Sequence, residues 1–202
     1  MPFAFHYSIS SHTDFWIWKI EESEDEIRKG LPMSRSLENR LAELKYKEQR
    51  IGVLAVQQLL KKVQIEPTSF HYDNQGIPRL PHQHISITHA KGYAGIVVGS
   101  LPNGIDIEAH REQVKKIQSK FVHPSESFAE STQELIQLWT AKEAVYKAAE
   151  IPGLELNKQL LIAPFEEATA RVELPAKEKT YTLHFFDLEQ HQATVALSLI
   201  HI

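Results

Sequence analysis

The chain contains no cysteine, which excludes disulfides, thiolate-bound metals and cysteine nucleophiles. No apolar run is long enough to cross a bilayer. The first residues, MPFAFHYSIS, lack the basic segment and apolar core of a secretory leader. The expectation is a cytoplasmic protein that does not associate with membranes. Glycine is scarce, at 8 residues, and no Gly-x-x-x-x-Gly-Lys-Ser/Thr loop occurs, which counts against nucleoside triphosphate chemistry. An excess of positive charge is also missing. The formal net charge is -4, so nothing supports non-specific binding to nucleic acid. What is present is ordinary for a globular protein: 202 residues, 42% hydrophobic and 24% charged. That is enough chain to bury a real core as one large domain or two small ones.

Charge is unevenly spread. Glu21 to Glu26 is strongly acidic, while Arg35 to Lys62 carries more basic than acidic residues and could meet an anionic ligand or partner. Residues 3–9 and 14–20 alternate and are rich in aromatic and β-branched types, which predicts strands. Ser23 with Glu26 forms a capping box that opens a short helix. Leu37, Leu41, Leu44, Ile51, Leu54, Ala55 and Leu59 give a helical period from about Ser34 to Lys62. Residues 71–82 are rich in turn formers and read as a loop. Strands are expected at Ile85–Ala90 and Ala94–Ser100, a turn at Pro102–Asn103–Gly104 and a short strand at Ile105–Glu108. Helices are expected over Arg111–Lys120 and 125–150, and strands over most of Leu160–Ile202, with Tyr181–Asp187 and Ala193–Ile200 as a pair.

Each half thus runs through helices to a final pair of strands. HISITHAKGYAGIVVGSL in the first compares with YTLHFFDLEQHQATVALSLI in the second. The fold class this predicts is α+β, a pseudo-twofold arrangement of two similar halves, 1–103 and 104–202, with a ligand cleft between them.

Three short stretches carry chemistry. In Gly104-Ile105-Asp106-Ile107-Glu108, strand alternation puts Asp106 and Glu108 on one face. Neighbouring carboxylates repel unless a proton or cation lies between them, and hard oxygen ligands suit magnesium. A solvated acidic edge would carry the same pair. In Trp139-Thr140-Ala141-Lys142-Glu143-Ala144-Val145-Tyr146-Lys147, helical spacing puts Trp139, Glu143 and Lys147 on one face. A surface Glu–Lys pair beside a core tryptophan fits that spacing equally. The third stretch, His84 to Ala90, is a strand ending in the Thr88 hydroxyl and the His89 imidazole. His82, His84 and His89 do not form a zinc signature.

Taken together, GIDIE and the later WTAKEAVYK resemble the two signature motifs of the phosphopantetheinyl transferase superfamily. In that family the first motif reads Gly-Ile-Asp-Ile/Val-Glu and the second Trp/Phe-Ser/Thr/Cys-x-Lys-Glu-Ala/Ser-x-x-x-Lys. ISITHAKGYAGIVV is similar to the family's upstream element, in which a Ser-His pair ends a strand. The resemblance covers residues 50–147, and the chain length matches the single-chain, surfactin-synthetase-activating type. The shorter fatty-acid-synthesis type works as a trimer.

The resemblance implies an enzyme that transfers the 4'-phosphopantetheine arm of coenzyme A to a serine of an acyl or peptidyl carrier protein. It implies magnesium dependence, release of adenosine 3',5'-bisphosphate and a monomeric state. Asp106, Glu108 and Glu143 match the metal-binding carboxylates, with Glu143, or a water it holds, as the general base. Lys147 matches a lysine on the pyrophosphate. His89, with Thr88 before it, matches the coenzyme A phosphate contact. Arg50 matches an arginine facing the 3'-phosphate, and Arg35 is a second candidate there. The chain departs from the family at Ile77, where Gly-Lys-Pro is usual and Arg79 stands two residues on. It also departs at Thr88, where serine is usual, and at Gln57, where many relatives carry arginine. An inactive relative that binds coenzyme A or a carrier protein is the alternative, and an unrelated magnesium-dependent phosphoryl-transfer enzyme is a further one.

Overall fold

A computed structural model of the chain describes residues 4–175 and 177–199. Phe3 at the start of the expected first strand, and residues 200–202 at the end of the expected last one, lie outside them. The order of elements is β1 (Ala4–Ser10), β2 (Thr13–Lys19), α1 (Glu24–Arg28), α2 (Arg35–Glu43), α3 (Lys47–Lys62), β3 (His71–Tyr72), β4 (Pro78–Arg79), β5 (His84–Ala90), β6 (Tyr93–Gly99) and β7 (Asn103–Ala109). There follow α4 (Val114–Ile117), a 3-10 turn, α5 (Thr132–Ala149), β8 (Leu160–Ile162), β9 (Thr169–Leu174), β10 (Lys177–Leu188) and β11 (His191–Ser198).

The fold is α+β. One antiparallel sheet has the order β1-β2-β6-β5 and a second the order β7-β11-β10-β9-β8. Their shared plan is a strand, then helices, then a hairpin whose last strand pairs back onto the first. Thus β2, β5 and β6 correspond to β7, β10 and β11. The hairpin turns fix the alignment. Tyr93 opposes Ala90 and Lys19, while His191 opposes Leu188 and Ala109.

Alternation along the strands sorts side chains into layers. Phe15, Ile17 and Val97 of the first sheet meet Ile105, Ile107, Val195 and Leu197 of the second in a central apolar layer. Outside it, Trp18, Ala94 and Ile96 pack under α2 and α3, and Tyr181, Leu183 and Ala196 pack under α5.

Several sequence expectations change. The single helix from Ser34 to Lys62 is two helices, broken where Leu44 and Tyr46 adopt extended backbone. Neither glycine nor proline marks that break, and the apolar period runs through it. Residues 71–82 include a two-stranded ladder, with His71 opposite Arg79 and Tyr72 opposite Pro78. Asn103 and Gly104 are not in a turn but begin β7, paired with Leu197 and Ala196. The helix expected over Arg111–Lys120 shrinks to α4 and a 3-10 turn at Gln118–Lys120. The one expected from residue 125 starts at Thr132, where Ser131 and Glu134 make a capping box. The capping box at Ser23 and Glu26 forms as expected.

Candidate functional site

Gly104 determines how closely α5 approaches β7. A Cβ on Gly104 would lie 1.9 Å from the Ala144 carbonyl oxygen, so the helix backbone rests directly on the strand. The next residues on that strand face are Asp106 and Glu108. The residues flanking Ala144 on the helix are Glu143 and, one turn later, Lys147. Direct backbone contact therefore brings the two signature stretches together.

Asp106 is buried. Its Oδ1 accepts hydrogen bonds from Lys147 Nζ at 2.8 Å and from Thr88 Oγ1 at 3.3 Å. Its Oδ2 is buried and has no partner. Lys147 also donates to the Ile105 carbonyl at 2.8 Å. Glu108 accepts from Arg111 at 3.0 Å. Burial, then the charge of Asp106, raise Glu108 above the usual carboxylate range. Glu143 is raised by burial, then by Asp106, against the lowering effect of Lys147. Glu108 and Glu143 thus both feel the charge of Asp106, and partial burial weakens the screening by water.

A cavity of about 640 Å³ opens between the halves. Asp106, Lys147, Thr88 and His89 line it, with Arg40 and Tyr72 on the first-half side. Ile77, Pro78, Ile151 and Pro152 add an apolar wall. Glu108 and Glu143 flank Asp106 without lining the cavity. The His89 imidazole sits against α3 at Gly52, where a Cβ would come within 2.8 Å of the ring. Burial, then the charges of Arg40 and Lys147, hold His89 below its ordinary pKa.

The other expected cations go elsewhere. Arg50 makes a two-pronged pair with Glu24 at 2.8 and 3.0 Å and donates to the Leu44 carbonyl, and it does not line the cavity. Arg35 is exposed on the first turn of α2 and does not line it either. Arg79 binds Asp73 at 2.9 Å and Glu150 at 2.7 and 2.8 Å. Arg40, which the sequence did not single out, has its guanidinium 4.5 Å from the Tyr72 ring centroid. Among the described residues it pairs with no carboxylate. On sequence it is one more arginine on the polar side of a helix, and no local pattern separates it from Arg35.

Asp106, Glu108 and Glu143 offer hard oxygens suited to magnesium, and the orphaned Asp106 Oδ2 is a buried acceptor that a cation would satisfy. Among the described residues no group of three or more His, Asp or Glu side chains is gathered into a metal cage. Magnesium does not require one, because it commonly takes one or two carboxylates and completes its shell with water and phosphate oxygens. Among the described residues no helix is long and apolar enough to cross a membrane.

Residues 102–198, from the start of β7 to the end of β11, match the family model of the 4'-phosphopantetheinyl transferase superfamily. This region holds Asp106, Glu108, Glu143 and Lys147. No curated protein matches the chain.

Proposed function

We propose that the protein is a magnesium-dependent 4'-phosphopantetheinyl transferase of the single-chain, surfactin-synthetase-activating type, acting as a cytoplasmic monomer. Its donor is coenzyme A and its acceptor a serine of an acyl or peptidyl carrier protein. The observation that carries this reading is Asp106, with one unpartnered buried oxygen, at a cavity between the halves that also presents Lys147, His89 and Arg40. A superfamily match over the second half supports it.

In this reading magnesium would be held by one or two of Asp106, Glu108 and Glu143, and when bound it would offset the pyrophosphate charge that the carboxylates otherwise repel. Lys147 contacts the pyrophosphate. His89 and Thr88 face the coenzyme A phosphates, with Arg40 on the 3'-phosphate as the arginine that reaches the cavity, in place of Arg50 or Arg35. The carrier serine oxygen bonds to the β-phosphorus. The bond from that phosphorus to the bridging oxygen breaks, and the oxygen leaves with adenosine 3',5'-bisphosphate. Glu143, or a water it holds, takes the serine proton. Lys147 offsets charge on the leaving phosphate.

The test is to incubate the purified protein with coenzyme A, magnesium and an apo carrier protein, then weigh the carrier. A gain equal to phosphopantetheine is expected, and no gain in the presence of chelator. A second reading, a relative that binds coenzyme A without transfer, is motivated by Ile77 at the usual lysine position and by the engagement of Arg79 with Asp73 and Glu150. Coenzyme A binding without mass gain would favour it.

A further inference from the structure

β5 and β7 are edge strands of different sheets that run side by side with no shared ladder. An edge strand exposes unpaired peptide groups, and at this seam they are buried. Side chains take the place of the ladder. The Asn103 amide donates to the His84 carbonyl at 3.3 Å, the Ile105 N–H donates to Ser86 Oγ at 3.1 Å, and the Thr88 hydroxyl reaches Asp106. The Ser86 and Thr88 side chains alternate onto one side of β5, and the His84 carbonyl supplies the third contact.

Ile105 is the residue immediately before Asp106. Its side chain is fully buried in the central layer, and its two peptide groups are held from outside the sheet. Ser86 takes the N–H, and Lys147 takes the carbonyl at 2.8 Å. With both groups fixed, the depth at which Asp106 enters the cleft is set. Ser86 is itself only 4% exposed, and the Ile105 amide is buried with it. Losing its oxygen leaves that amide buried and unpaired, the costly case for a hydrogen bond.

We propose that Ser86 is a positioning residue. Its hydroxyl bridges the two halves from the wall of the cavity, holds the Ile105 N–H one residue before Asp106 and so sets the metal affinity of the carboxylate site. The catalytic part of this inference rests on the function proposed above, while the structural part does not.

The experiment compares the full-length protein with Ser86→Ala, Ser86→Thr and Ser86→Cys. Hydrogen exchange at the Ile105 amide, the magnesium concentration for half-maximal rate and the KM for coenzyme A are measured. Magnesium-dependent coenzyme A binding is followed by calorimetry. In Ser86→Ala the Ile105 amide should exchange at least about tenfold faster, and the magnesium requirement should rise by about tenfold or more, as for other groups that orient a metal ligand. KM for coenzyme A at saturating magnesium should stay within about twofold, because His89 and Arg40 are not moved. Ser86→Thr keeps the hydroxyl and should restore both readouts.

If Ser86→Ala does not fold, Ser86→Cys, which fills the space with a weak acceptor, is read in the same assays. Faster exchange with an unchanged magnesium requirement overturns the inference, and so does unchanged exchange. A large rise in KM for coenzyme A at saturating magnesium also overturns it, because Ser86 would then be touching ligand. If the parent protein transfers nothing, the proposed function fails, and exchange with calorimetry decides the inference alone.

Discussion

Glu143 and Gly52 show how far a residue's role depends on its neighbours. The folded-state pKa of Glu143 is raised above 4.5, chiefly by burial. Between 4.5 and its raised value the folded state holds more protons than the unfolded one, so stability falls as pH rises through that window. Glu143→Gln removes the charge and should raise the melting temperature of the ligand-free protein at pH 7, with little change at pH 4. The same variant should lower transfer by about 100-fold or more, as expected for loss of a general base. A lower melting temperature at pH 7 would show that burial does not disfavour the charged carboxylate. Gly52 reads in the sequence as a mild cost inside a helix, but the structure makes it the slot for His89. Gly52→Ala should leave the fold intact, since alanine favours helix by about 1 kcal/mol. It should weaken coenzyme A binding by about tenfold, roughly the loss of one good hydrogen bond, as calorimetry would show. Spacing within one element put Asp106 with Glu108 and Glu143 with Lys147, but only the resemblance to the superfamily motifs made these residues and His89 candidates. Arg40 and Ser86 were not, because only the packing of one element on another gives them a role.

At the scale of elements, the site is built by α5 lying on β7 and by the loop that anchors α5. Gly104→Ala puts a methyl into the Ala144 carbonyl, and the clash is with backbone, which cannot rotate away. Overpacking of this kind costs about 1–3 kcal/mol or more, which at this chain length lowers the melting temperature by roughly 5 °C. Transfer should fall further than stability does, because Asp106 and Glu143 separate. The anchor is the fully buried ion pair of Lys142 and Glu126, 2.7 Å apart. Lys142 also donates to the Leu156 and Leu160 carbonyls, and Glu126 accepts from the His123 and Ile162 amides. Glu126→Ala leaves a buried lysine unpaired and should cost about 3–5 kcal/mol, read as a lower denaturant midpoint. A change below about 1 kcal/mol would mean that water reaches Lys142. The capping boxes of α1 and α5 are local in sequence and were readable at α1. The break between α2 and α3 was not, because no residue there forbids helix and Leu37 and Leu41 of α2 join the same apolar cluster as α3.

For the whole molecule, the central layer belongs to neither half alone. Phe15, Ile17 and Val97 are covered by Ile105, Ile107 and Val195, so each half expressed by itself should expose an apolar sheet face and fail to fold cooperatively. Co-refolded halves, 1–103 and 104–202, should recover native circular dichroism; independent cooperative melting of either half would refute this. The pseudo-twofold plan brings one site rather than two, and the strand registers give the reason. Trp16 and Trp18 stand at the positions equivalent to Asp106 and Glu108. Both pack beneath the first-half helices, so that half spends on core the face that the other uses for chemistry. The sequence by itself determined the α+β class, the repeated plan and the face on which Asp106 and Glu108 lie, because alternation and helical period are properties of a single element. Only the tertiary structure decided that Arg40 rather than Arg50 reaches the cavity, that Gly104 admits α5 and that Ser86 holds the peptide before Asp106. Those facts depend on distances between elements far apart in the chain, which no local pattern encodes.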